Sequence, residues 1–348
     1  NADILDKVST TVPIFIVNQS GHIGYVNHKA MELAGITEGT PSPGGGGIYM
    51  KDAKGKLTGV LIEPPTFTAF ISKMPPPSQN DLVGAMIKTT RNIASKGVTT
   101  SAEITLGFSI GFDVENKLYQ GLTASGSLPI RVRAYLYGPS LPSSFNAIKP
   151  GEGNDRLRYV GVKFISDGST QGLTAALNEP YIYPKGTKNR GELDYKDADL
   201  LKQMKTFYDQ GWQIATHANG ERAIQQTLDN YAQLLSGNVN PASRRLRIEH
   251  FTVTTPDQVK KAVQLGVVPG FTIGHVNYWG EAFNNQLLGP ERSSRLDPAA
   301  EVKKLGGRFA FHSDSPVSDV GPLNYITEGA GRMWQKPPRQ VLGADQKV

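Results

Sequence analysis

The sequence contains no cysteine, which removes disulfides, thiolate metal sites and cysteine nucleophiles from the readings open to it. It also lacks any apolar run near the roughly 20 residues needed to span a bilayer. Three common catalytic patterns are missing. There is no Gly-x-x-x-x-Gly-Lys phosphate loop, no His-Glu-x-x-His zinc helix and no Gly-x-Ser-x-Gly nucleophile elbow. Histidine is sparse, at six residues, and no two of them form a His-x-His pair. No secretory leader opens the chain, but it begins with Asn rather than Met, so both a cytoplasmic and a periplasmic location stay open.

What is present suits a large α/β domain. The 348 residues suffice for one barrel or two ordinary domains, and 38 Gly with 23 Pro fit a fold with many strand–helix turns. The net charge of +6 is spread over residues such as Lys202, Lys205, Lys260, Lys261, Lys303 and Lys304. That scatter reads as solvated helix faces, so nucleic acid is not an expected partner. A membrane is not expected either. A small-molecule substrate is, and a homodimer is an assembly the chain could form.

Residues 1–65 look unlike the remainder. Val12 to Val17 is a strand candidate, Ala30 to Ala34 a short helix stopped by Gly35, and Lys54-Gly55-Lys56 a hairpin turn between short strands. Pro41-Ser42-Pro43 and Gly44 to Gly47 read as a flexible loop. From residue 80 onward a regular alternation sets in. Asn80-Asp81 can cap a helix ending at Gly97. Strands are expected at 98–103, 130–137, 159–165, 212–217, 246–251, 266–273 and 308–314. Helices are expected at 198–210 and 221–235, and a third begins at Thr255-Pro256-Asp257. Residues 170–196 form a long loop. Seven strands with helical crossovers, about 30 residues per unit, predict a parallel sheet of the barrel type. The expected division is an α+β segment over 1–75, a barrel over 76–335 and a C-terminal segment over 336–348.

In such barrels chemistry gathers at the carboxyl ends of the strands. Four segments end there in groups able to hold a metal: Val162-Lys163-Phe164, Thr216-His217-Ala218, Ile248-Glu249-His250 and His312-Ser313-Asp314. A lone strand histidine is more often a packing residue than a ligand. Two that close neighbouring strands, His217 and His250, can point at one ion. Glu249 is expected on the opposite face of its strand from His250, paired with Arg244, Arg245 or Arg247. Asp314 suits either a turn or a metal-binding carboxylate that accepts a proton from water. Lys163 lies in an apolar run, where an ammonium must be paired or neutralised. Tyr181, Tyr183, Tyr278, Trp279 and Phe283 fall in expected loops and either line a pocket or pack beneath those loops. His275 and His312 are further candidates for substrate contact.

Taken in order, these segments resemble the amidohydrolase superfamily, in the branch of N-substituted formamide deformylase-like hydrolases called amidohydrolase family 3. The resemblance runs from residue 10 to about 335. It is carried by Gly21-His22-Ile23-Gly24-Tyr25-Val26-Asn27, Gly59-Val60-Leu61-Ile62-Glu63, Gly97-Val98-Thr99-Thr100, the Lys163 and Asp167-Gly168-Ser169 segments, His217-Ala218-Asn219-Gly220-Glu221, Arg247 to His250 and Ser313 to Val317.

The resemblance implies a (β/α)8 TIM-barrel metal-dependent hydrolase that cleaves a non-peptide C–N bond of an amide, formamide or cyclic amide. It implies one or two divalent cations, zinc first among them, and carboxylation of Lys163 into a bridging ligand. His217, His250 and Asp314 would be further ligands, with Asp314 also the catalytic base. His22 and Asn27 would lie near the pocket, which makes them substrate-binding candidates beside the His275 named above. It also places strand 12–17 in an insertion, so that the first barrel strand, with its His-x-His, is expected upstream of Asn1. The usual N-terminal β-sandwich is likewise not found in the chain. Asn219 stands where an apolar residue is common, and Glu221 replaces an Asp. The alternatives are a protein that keeps the barrel for binding or scaffolding without turnover, and a lyase or isomerase on the same fold.

Overall fold

A computed structural model describes residues 1–237 and 240–348. The polypeptide forms two sheets. The first holds strands β1 (Phe15–Val17), β2 (Ile23–Val26), β3 (Ile48–Lys51) and β4 (Leu57–Ile62), antiparallel and in the order β1-β2-β4-β3. The expected hairpin turn joins β3 to β4, closed by Asp52 N–H on Lys56 O. Helix His28–Ala34 follows β2 and ends at Gly35 in the left-handed conformation, φ 70°. Val26, Met31, Leu61, Phe67 and Phe70 form a small apolar core beneath this sheet.

The second sheet carries the remaining seven strands. They are β5 (Thr100–Leu106), β6 (Arg131–Tyr137), β7 (Leu157–Ile165), β8 (Gln213–Ala218), β9 (Arg247–His250), β10 (Val268–Thr272) and β11 (Ala310–His312), all parallel and paired in sequence order. Each expected barrel strand is found within a few residues, and the 12–17 strand joins the antiparallel sheet instead. The fold is therefore α/β, a curled seven-stranded part of a barrel. Among the described residues β5 and β11 form its two edges and do not pair with each other.

Local chemistry explains the crossovers. Thr255 caps helix Pro256–Gln264 in a reciprocal box with Gln258, with proline in the first turn. Helix Gln79–Ser95 begins one step before the expected cap. Ser78 is its N-cap and Asp81 closes the box, because a hydroxyl three residues ahead of an acid satisfies two free N–H groups at once. Outward residues of the strands pack under these helices: Val162, Phe164, Ile214, Ile248 and Phe271 join Leu200, Met204, Leu228, Tyr231 and Val259 in one continuous core. Thr216 also faces outward, and its hydroxyl meets Tyr231 Oη at 2.8 Å.

The two sheets meet at the carboxyl ends of the parallel strands. Gln19 donates to Val317 O at 2.7 Å across this junction. The last residues, expected as a separate segment, pack onto the barrel side: Leu342 is buried, and its carbonyl accepts from the fully buried Arg332. Among the described residues no helix is long and apolar enough to cross a membrane.

Candidate active site

Alternation along β7 puts Val162 and Phe164 in the outer core and turns Lys163 inward, where it is 3% exposed. On β8 the same alternation turns His217 inward. On β9 it turns Arg247 and Glu249 inward, and by strict alternation His250 would then face out. The backbone breaks that rule: His250 has φ 74° and Phe251 φ 48°. Glu249 and His250 consequently reach the same interior. His312 Nε2 lies 3.6 Å from Glu249 Oε2, and its ring is 5.4 Å from that of His250. Opposite faces for these two neighbours is thus corrected, and the left-handed residues at the strand end are the cause. The partner of Glu249 is Arg247, at 2.6 Å. Gly270 on the next strand makes room for this pair, since a Cβ there would overlap Glu249 Oε2.

Five imidazoles gather at these strand ends. His217 and His250 have ring centroids 4.3 Å apart, edge to face. His22, from the start of β2, lies 5.0 Å from His217, and His275 lies 6.5 Å from His250. Each ring is oriented through one nitrogen. His217 Nε2 meets Gly168 O at 3.0 Å and Asn219 Nδ2 at 3.1 Å. His250 Nδ1 meets Thr272 Oγ1 at 2.7 Å. His22 Nδ1 meets Glu63 Oε2 at 2.6 Å. His312 Nε2 meets Gly270 O at 2.9 Å. The opposite nitrogens of His217 and His250 carry no hydrogen bond among the described residues.

Electrostatics separates these groups. Burial holds the His217 and His250 imidazoles well below the usual histidine range, helped by their histidine neighbours and by Lys163. Burial also lowers Lys163, against the raising pull of Glu249 and Asp314. His22 goes the other way. Burial opposes its charge, but the carboxylate of Glu63, with Asp314 and Asp167 behind it, raises it. Asp167 is pushed up to about 7 by burial, although three backbone N–H groups (Asn219, Ala176 and Gly220) donate to it.

The predicted residues fall into two groups. Lys163, His217, His250, His22 and His275 converge, and Asp314 acts electrostatically on both His22 and Lys163. Asn27 does not join them. It sits at the far end of β2 from His22, roughly 16 Å along a strand. Its amide donates to Ser9 O and Val12 O and accepts from Ile14 N–H and Ala30 N–H, which makes it the cap of helix His28–Ala34. The aromatics read as loop residues differ too. Tyr278 and Trp279 lie on helix Gly274–Ala282, which starts directly after β10, and Trp279 and Phe283 pack on His275 at 5.9 and 6.0 Å.

Thr272 and Asp194 take part without having been singled out, and Glu63, quoted only as the end of the Gly59–Glu63 segment, orients His22. A threonine closing the apolar strand β10 was the one legible sign. Glu63 and Asp194 come from loops whose approach has no sequence period.

The donor set fits a divalent cation in part. Two neutral imidazoles, each oriented through its second nitrogen, are a good start for a metal site. No three His, Asp or Glu ligand atoms of this cluster lie within 4.8 Å of one another. The group of described residues that meets that distance is Asp3, Asp6 and His28, beside the antiparallel sheet. Within the cluster the donors already brought close together are the imidazoles of His217 and His250.

The sequence profile of the amidohydrolase family matches residues 2–348. Protein LONG AFTER FAR-RED 3 of Arabidopsis thaliana is 28% identical over 350 residues, covering 97% of this chain and 58% of that protein. N-substituted formamide deformylase of Arthrobacter pascens is 24% identical over 367 residues, covering 99% and 64%. A crystal structure of an uncharacterized metal-dependent hydrolase from Pyrococcus horikoshii OT3 shares the fold, with a TM-score of 0.73 at 21% identity, covering 100% of this chain and 65% of that one. The chain thus spans less than two thirds of each of these proteins.

Proposed function

The chain belongs to the amidohydrolase family, and from that membership we propose that it is a metal-dependent hydrolase adding water across a non-peptide C–N bond, in an amide, formamide or cyclic amide. The observation that carries this reading is the His217–His250 pair, two uncharged imidazoles 4.3 Å apart at adjacent strand ends. A bound divalent cation, zinc in the first instance, would supply Lewis acidity and a more acidic water.

The residues of the chain do the rest. His217 and His250 would hold the cation. Lys163, whose ammonium form burial disfavours, would add through its amine nitrogen to carbon dioxide, forming the N–C bond and losing a proton to solvent, and its carbamate would help to hold the cation. Asp314 takes the proton of the attacking water and passes it to the departing nitrogen. His22, whose protonated form the Glu63 carboxylate favours, donates to the carbonyl oxygen as negative charge grows there. His275, packed against Trp279 and Phe283, flanks the substrate.

A second reading, binding without turnover, draws on the lack of a compact three-residue His, Asp or Glu ligand set in the cluster. One experiment separates the two. Purified chain is loaded with Zn2+ and assayed against a panel of formamides, acyl amides and cyclic amides, beside His250→Ala. Turnover that needs both the metal and His250 supports hydrolysis; stoichiometric metal uptake with no turnover of any panel member sinks it.

A further inference from the structure

Thr252, in the segment after β9, links two of the groups at the strand ends. Its hydroxyl meets Asn219 Oδ1 at 2.6 Å and His275 Nδ1 at 3.3 Å. The Asn219 amide is held in this orientation from its other end, where Nδ2 donates to Gly168 O at 2.9 Å. A hydroxyl carries one proton, and an amide oxygen only accepts. The Thr252 proton therefore goes to Asn219, and toward His275 the Thr252 oxygen can only accept. The hydrogen bond between them requires a proton on His275 Nδ1.

Asp297 acts on the same nitrogen. Its side chain is fully buried, and neither carboxylate oxygen makes a hydrogen bond among the described residues. Oδ1 lies 3.8 Å from His275 Nδ1. That is too long for a hydrogen bond, but an acceptor there favours a proton on the nitrogen it faces. The backbone of Asp297 is fixed from two sides. Its N–H donates to Thr252 O at 3.1 Å, and its carbonyl accepts from Arg332 Nη1 at 3.1 Å. The other hydrogen bonds of Arg332 go to the carbonyls of Leu296 and Leu342, so the Asp297 carboxylate is left facing His275.

In its neutral form His275 then has a bare lone pair on Nε2, and that atom makes no hydrogen bond among the described residues. Trp279 and Phe283 pack edge to face on the ring at 5.9 and 6.0 Å, so the acceptor has apolar neighbours. The ring stands 6.5 Å from that of His250. A carbonyl compound seated against the histidine pair has its nitrogen one bond from the carbonyl carbon, within reach of this ring.

We propose that His275 is a hydrogen-bond acceptor for the substrate, taking at Nε2 an N–H borne by the nitrogen of the C–N bond. Thr252 and Asp297 are its positioning residues, because they keep the imidazole proton on Nδ1. The substrates are then amides and formamides with one substituent on nitrogen, or cyclic amides with a ring N–H. An isostere without that donor leaves a buried acceptor unpaired and is refused. Cleavage of the bond rests on the hydrolase reading above; recognition of the N–H does not.

Two measurements on the full metal-free chain test this. The first is the tautomer of His275 at pH 8 in ¹⁵N-histidine-labelled protein. Its resonances are identified by their loss in His275→Phe, or, if that variant does not fold, by Overhauser contacts to Trp279 and Phe283 in the unaltered chain. Nδ1 should carry the proton and Nε2 should not. Asp297→Asn, which can donate to the same nitrogen, should move the proton toward Nε2; an unmoved tautomer there strikes Asp297 from the proposal. The second is calorimetric binding of N-pentylformamide and of pentyl formate, in which oxygen replaces the N–H. N-pentylformamide should bind at least about tenfold more tightly, and His275→Phe should remove the difference. A proton on Nε2 in the unaltered chain, equal binding of the two probes, or a preference that survives His275→Phe overturns the proposal. Turnover by the zinc-loaded chain is measured separately. Preferred binding without turnover leaves the N–H site standing and counts against hydrolysis. Turnover of both probes with equal KM does the reverse.

Discussion

His250 and Thr272 face each other across the β9–β10 junction, and a 2.7 Å hydrogen bond from one fixes which nitrogen the other presents to the cluster. With Nδ1 engaged, Nε2 is the atom left for a ligand. Thr272→Val keeps the shape and removes the hydroxyl. Zinc affinity should then fall about 10- to 100-fold, the usual cost of losing such a partner. Competition with a chromophoric chelator measures it; an unchanged affinity would mean that His250 takes no part in holding metal.

Acid should act through the same imidazole. The folded pKa of His250 lies well below its ordinary value of 6.5. Below pH 6.5 the unfolded chain therefore takes up a proton that the folded one refuses, and stability is lost as pH falls. The metal-free chain should lose about 1 kcal/mol relative to His250→Gln between pH 7.5 and 5.5. Urea midpoints of both proteins at the two pH values test this; parallel behaviour of the pair would show that His250 titrates normally.

Lys163 gives a spectroscopic test. A buried, partner-poor amine should react with carbon dioxide, so ¹³C-labelled bicarbonate with zinc should produce one carbamate resonance. Lys163→Gln should abolish that resonance and at least one bound metal equivalent. A spectrum identical for both proteins would remove the carbamate from the mechanism.

Asn27 separates support from recognition. Its amide satisfies two N–H groups and two carbonyls around a helix start. Asn27→Ala should cost about 2 kcal/mol or more in stability. Below the unfolding transition, the affinity for N-pentylformamide should not change. A weakened affinity in a fully folded variant would restore Asn27 to the substrate site.

Much of this arrangement could be read in advance, for a physical reason. The strands of the parallel sheet are apolar runs closed by a polar residue, and that signal survives in Lys163, His217 and His250 taken singly. The hydroxyl cap at Thr255 and the glycine stop at Gly35 were legible because capping is local. Three features were not. The sharing of one interior by Glu249 and His250 depends on a left-handed backbone at a histidine, which sequence alternation cannot foresee. Asn27 looked like a site residue because a buried cap and a buried contact carry the same side chain. Glu63 and Asp194 meet only after two loops fold over each other, and neither loop has a period to announce it.

The bare flanks of the parallel sheet have a consequence for handling the protein. Among the described residues β5 and β11 each border no further strand, and the exposed or half-buried Thr100, Ser101 and Ala102 do little to shield the first of these margins. Such margins recruit whatever extended peptide is at hand. An extended segment, whether from the same polypeptide or from another molecule, is what either margin is shaped to take up.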